Sequence, residues 1–519
     1  MMPHRDCRTI QKQFGLRHRR SGWEAAALIV LVAGWLGLPA RSQPFWPQFR
    51  GPSGGGVSES AHPPVSFSAT NSLWSVEIPP GHSSPCIWGG KIFLTAFNEK
   101  RLECRAYDRA SGKLLWTKVV SAEKIEKTQE FNNPAAPTPV ADGDCVIFYF
   151  GSYGLLACTH DGKLLWEKKL PMQLSRGNYG SGSSPILCGS LVVLALDSDQ
   201  GKSHLLALKR ATGETVWDTA RPLFTAGWST PVVWSPDKER KGKEQIILLG
   251  SKKLTAYDAA DGKELWSLAG FPIETAPSPA FDQHQLYVCS AGVAGRSNPE
   301  FGGVRWSDVQ KYDTNKEGQV RIDRVPEGAP FVLRPELPEG HPGRDFPVPL
   351  KAILGSVDTN KSGIVTKAEW DRTLAMFESM DKPVLMAVRP DAVGDRRMSW
   401  QFSHGIPEVP SPLCYLGKVF LVRNGGLVQC FVAESGTQLY EERTGVSGGY
   451  FASPIAADGR VYLASESGTI TVIDARAEKL SVLAQNALGE PITATPAMVE
   501  DKLYVRTGRH LFAFGSGAN

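Results

Sequence analysis

SPILCGSLVVLALDSDQGKSHLLALKRATGETVW, residues Ser184–Trp217, decides the fold. A hydroxyl residue and proline open the stretch, an apolar run follows (Leu191–Leu196), and a second run (Leu205–Leu208) leads into the turn Ala211-Thr212-Gly213. The stretch closes on Thr215-Val216-Trp217. Each run is short, rich in leucine or β-branched residues, and bounded by Gly, Asp or Ser, which predicts four antiparallel strands joined by tight turns.

The same opening occurs at Ser84-Pro85, Thr138-Pro139, Thr230-Pro231, Ser278-Pro279, Ser411-Pro412, Ser453-Pro454 and Thr495-Pro496, making eight units. Successive prolines lie 54, 46, 46, 48, 133, 42 and 42 residues apart, the period of a four-stranded propeller blade with one oversized interval. Closing tryptophans follow at Trp116, Trp166, Trp217, Trp266 and Trp400. The sixth unit has Tyr440, the seventh ends on Leu480–Leu483, and the eighth stops at Phe514 without a closing strand. A matching strand, Ser72–Ile78 with Trp74, precedes the first unit. The expectation is an all-β, eight-bladed propeller in which this N-terminal strand completes the last blade and leaves no open edge between first and last units.

Residues 1–42 carry Arg5, Arg8, Lys12, Arg17, Arg19, Arg20 and Arg41, with an apolar run at Ala25–Leu38 and the small residues Ala40 and Ser42 after it. The run is short for a membrane span and reads as a signal peptide rather than a retained anchor. Its removal takes 57 basic and 53 acidic residues to 50 and 51. No basic stripe interleaved with aromatics then remains to suggest nucleic acid, and no stable membrane span is expected after cleavage. Residues 43–71, rich in Gly, Pro and Ser, read as an extended arm laid on the propeller, its aromatics docking into a surface groove. Of nine cysteines, Cys7 falls in the signal and the others are scattered without CxxC. Cys86, Cys188 and Cys414 follow the Ser-Pro openings, where core thiols belong. Export permits disulfides but fixes no pairing.

The forms Leu254-Thr255-Ala256-Tyr257-Asp258-Ala259-Ala260-Asp261-Gly262-Lys263-Glu264-Leu265-Trp266 and Cys104–Trp116 resemble the PQQ-like repeat over about 350 residues. That repeat builds the eight-bladed quinoprotein dehydrogenases and the outer-membrane assembly lipoprotein of Gram-negative bacteria. The resemblance implies that Trp packs between blades and that Asp and Gly make the turn. It does not imply pyrroloquinoline quinone (PQQ) chemistry, because the vicinal Cys-Cys and catalytic acid expected of a quinoprotein alcohol dehydrogenase map onto no residue here. Fold alone does not give function.

The oversized interval holds an insert at about 293–382, between the second and third strands of blade five, overhanging the face that carries the interblade linkers. The domain expectation is therefore signal 1–42, arm 43–71, propeller 72–292 and 383–519, and insert 293–382. Within the insert, Asp358–Glu369 (DTNKSGIVTKAE) matches a twelve-residue EF-hand calcium loop. Asp358, Asn360 and Ser362 offer side-chain oxygens, Ile364 its carbonyl, Thr366 a direct or water-bridged oxygen, and Glu369 a bidentate carboxylate. Leu350–Val357 and Lys367–Met380 are the flanking helices, the second with Trp370, Leu374 and Phe377 at helical spacing. Asp313–Arg324 begins as a similar loop but has arginine where the last carboxylate belongs, which makes it a degenerate partner to the intact hand. One carboxylate-rich loop in an exported chain points to a structural calcium site rather than a cytosolic switch.

The linkers into each Ser/Thr-Pro converge around the channel and contain Asn132, Asn133, Arg176, Asn178, Tyr179, Trp228, Glu274, His404, Glu408 and Tyr450. Such residues bind a ligand or simply satisfy loop backbone. His404 is a candidate general base by residue type alone, without a visible partner. No zinc spacing, P-loop or nucleophile elbow is present, and no residue receives a catalytic role. The functional expectation is an exported, periplasmic or secreted bacterial protein that binds calcium and holds a protein or polymer partner at the cell envelope. The alternative is a PQQ-dependent dehydrogenase of alcohols or sugars.

Overall fold

The computed structural model describes residues 45–129, 131–175, 178–199, 202–222, 224–235, 244–292, 306–313, 317–332, 345–346, 349–380 and 382–515. Eight antiparallel sheets form the expected eight blades. In blade three the strands are Ile186–Cys188, Leu191–Leu196, His204–Lys209 and Thr215–Ala220, ordered from the channel outward. The two middle strands are buried on both faces because each blade is covered by two neighbours, so they read as continuous apolar runs. The outermost strand alternates instead, with Trp217 turned inward and its neighbours exposed.

The last blade closes as expected. Trp74–Glu77 pairs with His510–Gly515, with Trp74 opposite Ala513. Pairing the first strand with the last hides the edge that an open ring would expose.

The closing tryptophans lock each blade to the next. Trp74, Trp116, Trp166, Trp217 and Trp400 donate their indole N–H to the carbonyls of Arg109, His160, Arg210, Ala259 and Ala433 at 2.8–3.2 Å. Gly213 shows why the turn ahead of the tryptophan needs glycine. Its φ is +73°, and a Cβ would sit 2.6 Å from the Trp166 ring of the preceding blade. Trp266 meets the insert-bearing blade, whose outer turn lacks that glycine, and Arg397 stacks over its ring at 4.3 Å instead. Tyr440 cannot make the indole bond, and Lys418 Nζ takes over by donating to the carbonyls of Ala475, Arg476 and Ala477.

Seven outer strands also carry one extra residue just before the closing position. Ala207 pairs with Trp217 and Leu208 with Thr215, leaving Val216 unpaired. Leu115, Leu165, Leu265, Ser399, Leu439 and Leu483 hold the same place in their blades. Such bulges twist the exposed edge away from further pairing.

The arm is a correction. It does not lie in a groove on the surface but crosses the end of the ring. Phe45 and Trp46 add a fifth strand to blade one against Trp88 and Ile87. The Pro47 carbonyl accepts from Ala141 N–H of blade two, and Gln48 Oε1 accepts from Leu187 N–H of blade three. Gly54 abuts Val232 of blade four. The Arg50 guanidinium donates to the carbonyls of Pro279 and Pro412, of blades five and six. Gly56 and Ser58 exchange backbone bonds with Ala456 of blade seven, and His62 N–H reaches the Glu500 carbonyl of blade eight. A chain that meets every blade is a crossbar, and it explains why so polar a segment is buried: seven of the eight blades supply a backbone partner and blade four supplies Val232.

Between Ser290 and Val384 the chain leaves blade five after its second strand and returns as its third. The described part holds helices Trp306–Gln310, Leu350–Val357 and Lys367–Met380, with a core of Val309, Val320, Leu350, Leu354, Val365 and Trp370 among others. The Leu374 and Phe377 side chains lie outside the described residues. No helix among the described residues is long and apolar enough to cross a membrane.

Candidate functional site

A ring of hydroxyls surrounds the channel. Ser84 N–H donates to Thr138 Oγ1, Thr138 N–H to Ser184 Oγ, and so on through Thr230, Ser278, Ser411, Ser453 and Thr495, at 2.9–3.1 Å in seven successive junctions. In seven of the eight Ser/Thr-Pro openings the hydroxyl is therefore the acceptor for the backbone of the blade before it. Proline follows because its position needs no donor.

Above this ring lies a cavity of about 290 Å³. All eight ring hydroxyl residues line it, and so does the residue two places before each of them: His82, Ala136, Gly182, Trp228, Ala276, Val409, Phe451 and Thr493. The repeat frame therefore contained the site, at a position that the linker reading did not single out. Phe49 also lines the cavity, and because the arm crosses the opposite end of the channel, it makes the cavity blind.

Three aromatic rings form a continuous wall. Phe131 and Tyr179 have centroids 5.8 Å apart, and Tyr179 and Trp228 meet edge to face at 5.6 Å. Of the linker residues expected at the mouth, Asn132, Tyr179, Trp228, Glu274 and Glu408 line the cavity. Asn133 instead caps its own loop, donating N–H to Asn132 Oδ1 and accepting from Ala135 N–H. Asn178 is exposed away from the cavity, and Arg176 lies outside the described residues.

Two expectations are corrected. Tyr450 is packed in the core between blades six and seven, and its backbone N–H donates to Asn424 Oδ1. His404 is exposed near the end of the blade-five outer strand, too far back along its linker to line the cavity. The histidine that does line it is His82. Burial, with Arg506 close by, pushes its pKa down to about 4, opposed by a hydrogen bond with Asn132. A neutral imidazole is thus the resting form. Thr275, fully buried in the cavity wall, has a hydroxyl without a hydrogen-bond partner, a polar atom available to a ligand.

The described lining does not suit PQQ, a tricarboxylate. It supplies amides, hydroxyls and aromatic rings, while Glu274 and Glu408 add carboxylates, and no lysine or arginine is among the described lining residues. The charge such a group calls for is missing from that set.

In the insert, the six oxygen-bearing residues named from the sequence come together. Asp358 Oδ2 accepts from Gly363 N–H at 2.7 Å, and its Oδ1 from Ser362 N–H at 3.0 Å. Ser362 Oγ donates to the Ile364 carbonyl, and Asn360 Nδ2 to Glu369 Oε1, each at 3.0 Å. Glu369 Oε2 accepts from Thr366 N–H and Oγ1, while Thr366 Oγ1 accepts from Glu369 N–H. That reciprocal pair is a capping box for the helix Lys367–Met380. The companion loop repeats the opening, with Asp313 Oδ2 accepting from Gly318 N–H at 2.8 Å. A short ribbon ties the two loops, pairing Gln319–Arg321 with Ile364–Thr366 and Val320 with Val365, both fully buried. At the end of the first loop, Arg324 sits in a 3-10 turn (Ile322–Arg324), and Asp323 pairs with Arg321 in solvent.

Fold and cavity define a class: eight-bladed propellers with a blind axial pocket. The chain belongs to the family described as outer membrane protein assembly factor BamB, matched over residues 98–296 and 384–516, a match interrupted at the insert. Among solved structures it is similar to BamB from Moraxella catarrhalis, at 10% identity and TM-score 0.50, covering 85% of this chain and 97% of that one. A europium-containing methanol dehydrogenase is similar at 10% identity and TM-score 0.53, covering 92% and 98%. The computationally designed Ika8 protein is similar at 10% identity and TM-score 0.52, covering 86% and 99%. At such identity the likeness extends to the fold alone. No curated protein matches the chain by sequence.

Proposed function

We propose that this chain is a non-catalytic binding or scaffolding protein of the bacterial cell envelope, exported to the periplasm or secreted, with a calcium-binding EF-hand module mounted on its cavity face. The lining of the cavity carries this reading: aromatics, hydroxyls and small residues over a floor that is the chain's own Phe49. Such a pocket is suited to holding a ligand or an inserted partner side chain, and the described lining carries no lysine or arginine for the carboxylates of a tricarboxylate quinone. Membership of the assembly-factor family supports a protein partner at the envelope.

Calcium is supported by the loop geometry. Asp358, Asn360, Ser362, the Ile364 carbonyl, Thr366 and Glu369 would hold the ion, two of them as carboxylates. When bound, it would supply cross-linking of loop to helix and no chemistry at the cavity. Arg324 withdraws the corresponding ligand from the companion loop, leaving that loop as packing partner through Val320 and Val365.

The test is titration of the calcium-loaded protein with PQQ, followed by absorbance and dye-linked alcohol or sugar oxidation. We expect no saturable binding and no turnover, with cross-linking in envelope preparations recovering a defined protein or polymer. One-site binding of the quinone with substrate-dependent dye reduction would replace this reading with the dehydrogenase one.

A further inference from the structure

We propose that Glu126 is a proton-dependent tie that positions the aromatic wall of the axial cavity. The inference rests on the reading of that cavity as the binding site, and concerns how its shape is regulated.

Glu126 lies in the linker from blade one to blade two, which also carries Phe131 and Asn132. It is 5% exposed. Its Oε2 accepts from both the N–H and the hydroxyl of Ser181, each at 2.8 Å, and its own N–H donates to Ser152 Oγ at 2.9 Å. Its other oxygen, Oε1, is buried without a hydrogen-bond partner. Gly151 permits this approach, since a Cβ there would stand 1.7 Å from Ser181 Oγ and 2.8 Å from Glu126 Oε1.

The segment so gripped, Tyr179–Gly182, is the keystone of the wall. Asn132 Nδ2 donates to the Tyr179 carbonyl at 2.5 Å, and Trp228 Nε1 donates to the Gly180 carbonyl at 2.8 Å. The rings of Phe131, Tyr179 and Trp228 therefore keep their spacing only while 179–182 stays in place. Glu126 is the carboxylate hydrogen-bonded into that segment, and the Tyr149 phenol shares the Ser181 hydroxyl with it.

Its surroundings make the tie sensitive to protons. From blade two, Tyr149 is the titratable group that faces it, and burial together with Glu126 pushes that phenol up. Glu123, Lys124 and Lys127 on its own linker are exposed to solvent. Burial raises the Glu126 pKa to about 7, against the two Ser181 hydrogen bonds that favour the ionised form. With the linker lifted, the carboxyl would titrate near the ordinary carboxylate range, so the seated linker binds the proton more tightly than the lifted one. The tie is at full strength below that range and weakens as pH rises through 7.

The experiment is hydrogen exchange of the Ser181 and Gly182 amides in the full chain from pH 5 to pH 8, corrected for intrinsic exchange. In wild type the opening constant should rise on the order of 50- to 100-fold across that range, from the pKa difference between seated and lifted linker. In Glu126→Gln, whose amide oxygen still accepts from Ser181, it should change less than about threefold. Ser181→Ala, which removes a bond favouring the charged form, should move the midpoint upward. A flat wild-type profile, or an identical rise in Glu126→Gln, would overturn the proposal. Because the readout needs no ligand, it stands or falls separately from the cavity's occupant.

Discussion

Arg50 Nη2 donates to the Pro412 carbonyl at 2.5 Å, joining a residue of the N-terminal arm to the inner strand of blade six across 362 positions of sequence. The same guanidinium reaches Pro279 and Gly55 carbonyls and is fully buried, its pKa lowered to about 9 by that burial. A charged fork surrounded by backbone oxygens holds the crossbar to the channel. Arg50→Ala would leave those carbonyls without their donor and a void on the axis, lowering unfolding free energy by about 3 kcal/mol. Arg50→Lys recovers little of it, because an ammonium lacks the fork geometry. Urea denaturation of the three proteins checks this.

Gly213→Ala tests the interblade lock. The backbone is at φ +73°, and the new Cβ meets the Trp166 ring at 2.6 Å, so strain and overpacking add to about 2–4 kcal/mol. Gly90→Ala, where nothing lies within 4 Å, should change stability by less than about 0.5 kcal/mol. Equal thermal midpoints for the two variants would refute the docking role of the turn.

Why some of this was legible and some not follows from how each contact is encoded. The Trp166–Gly213 lock repeats at a fixed period in side chains, so it can be read directly. Ring closure by Ser72–Ile78 was legible for the same reason, since Trp74 matches a closing strand out of place. The crossbar was not, because Arg50 recognises backbone carbonyls, and carbonyls have no sequence. His404 drew the eye by residue type while His82 lines the cavity. What distinguishes them is phase: His82 stands two residues before its Ser-Pro and His404 seven before. Glu126 belongs to no repeat position and shows its character only once Gly151 and Ser181 close over it.

The cysteines should be silent toward thiol reagents in the native protein. Each of the eight described cysteines is free and buried, and burial raises the pKa of Cys86, Cys104 and Cys289, among others. Ellman's reagent should label none of these eight without denaturant and all of them in guanidinium. Fast labelling of one in the folded chain would contradict the core role assigned to these positions.

Glu369→Ala tests the proposed calcium site. The Glu369 carboxylate caps the first turn of its own helix and faces Asn360, so its loss removes the proposed bidentate ligand and the capping box together. Calcium affinity by calorimetry should fall at least about tenfold, with the main thermal transition of the propeller unchanged. Binding equal to wild type would show that the ligand set is wrong. Arg324→Glu in the companion loop is the converse experiment and should raise the calcium stoichiometry.

His82 gives a stability change on the acid side. Its folded pKa of about 4 lies below the ordinary histidine value of 6.5, so the folded chain favours the neutral ring more than the unfolded chain does. A depressed pKa stabilises above the unfolded value and loses that stabilisation as pH falls from 6.5 through 4. The full span is worth up to about 3 kcal/mol at 1.36 kcal/mol per unit. His82→Gln, which keeps a polar side chain beside Asn132 but cannot titrate, should flatten the stability profile between pH 6.5 and 4 relative to wild type. Parallel profiles would mean that the acid sensitivity belongs to other groups, and that the imidazole at the cavity wall is as accessible to protons as a solvent-exposed one.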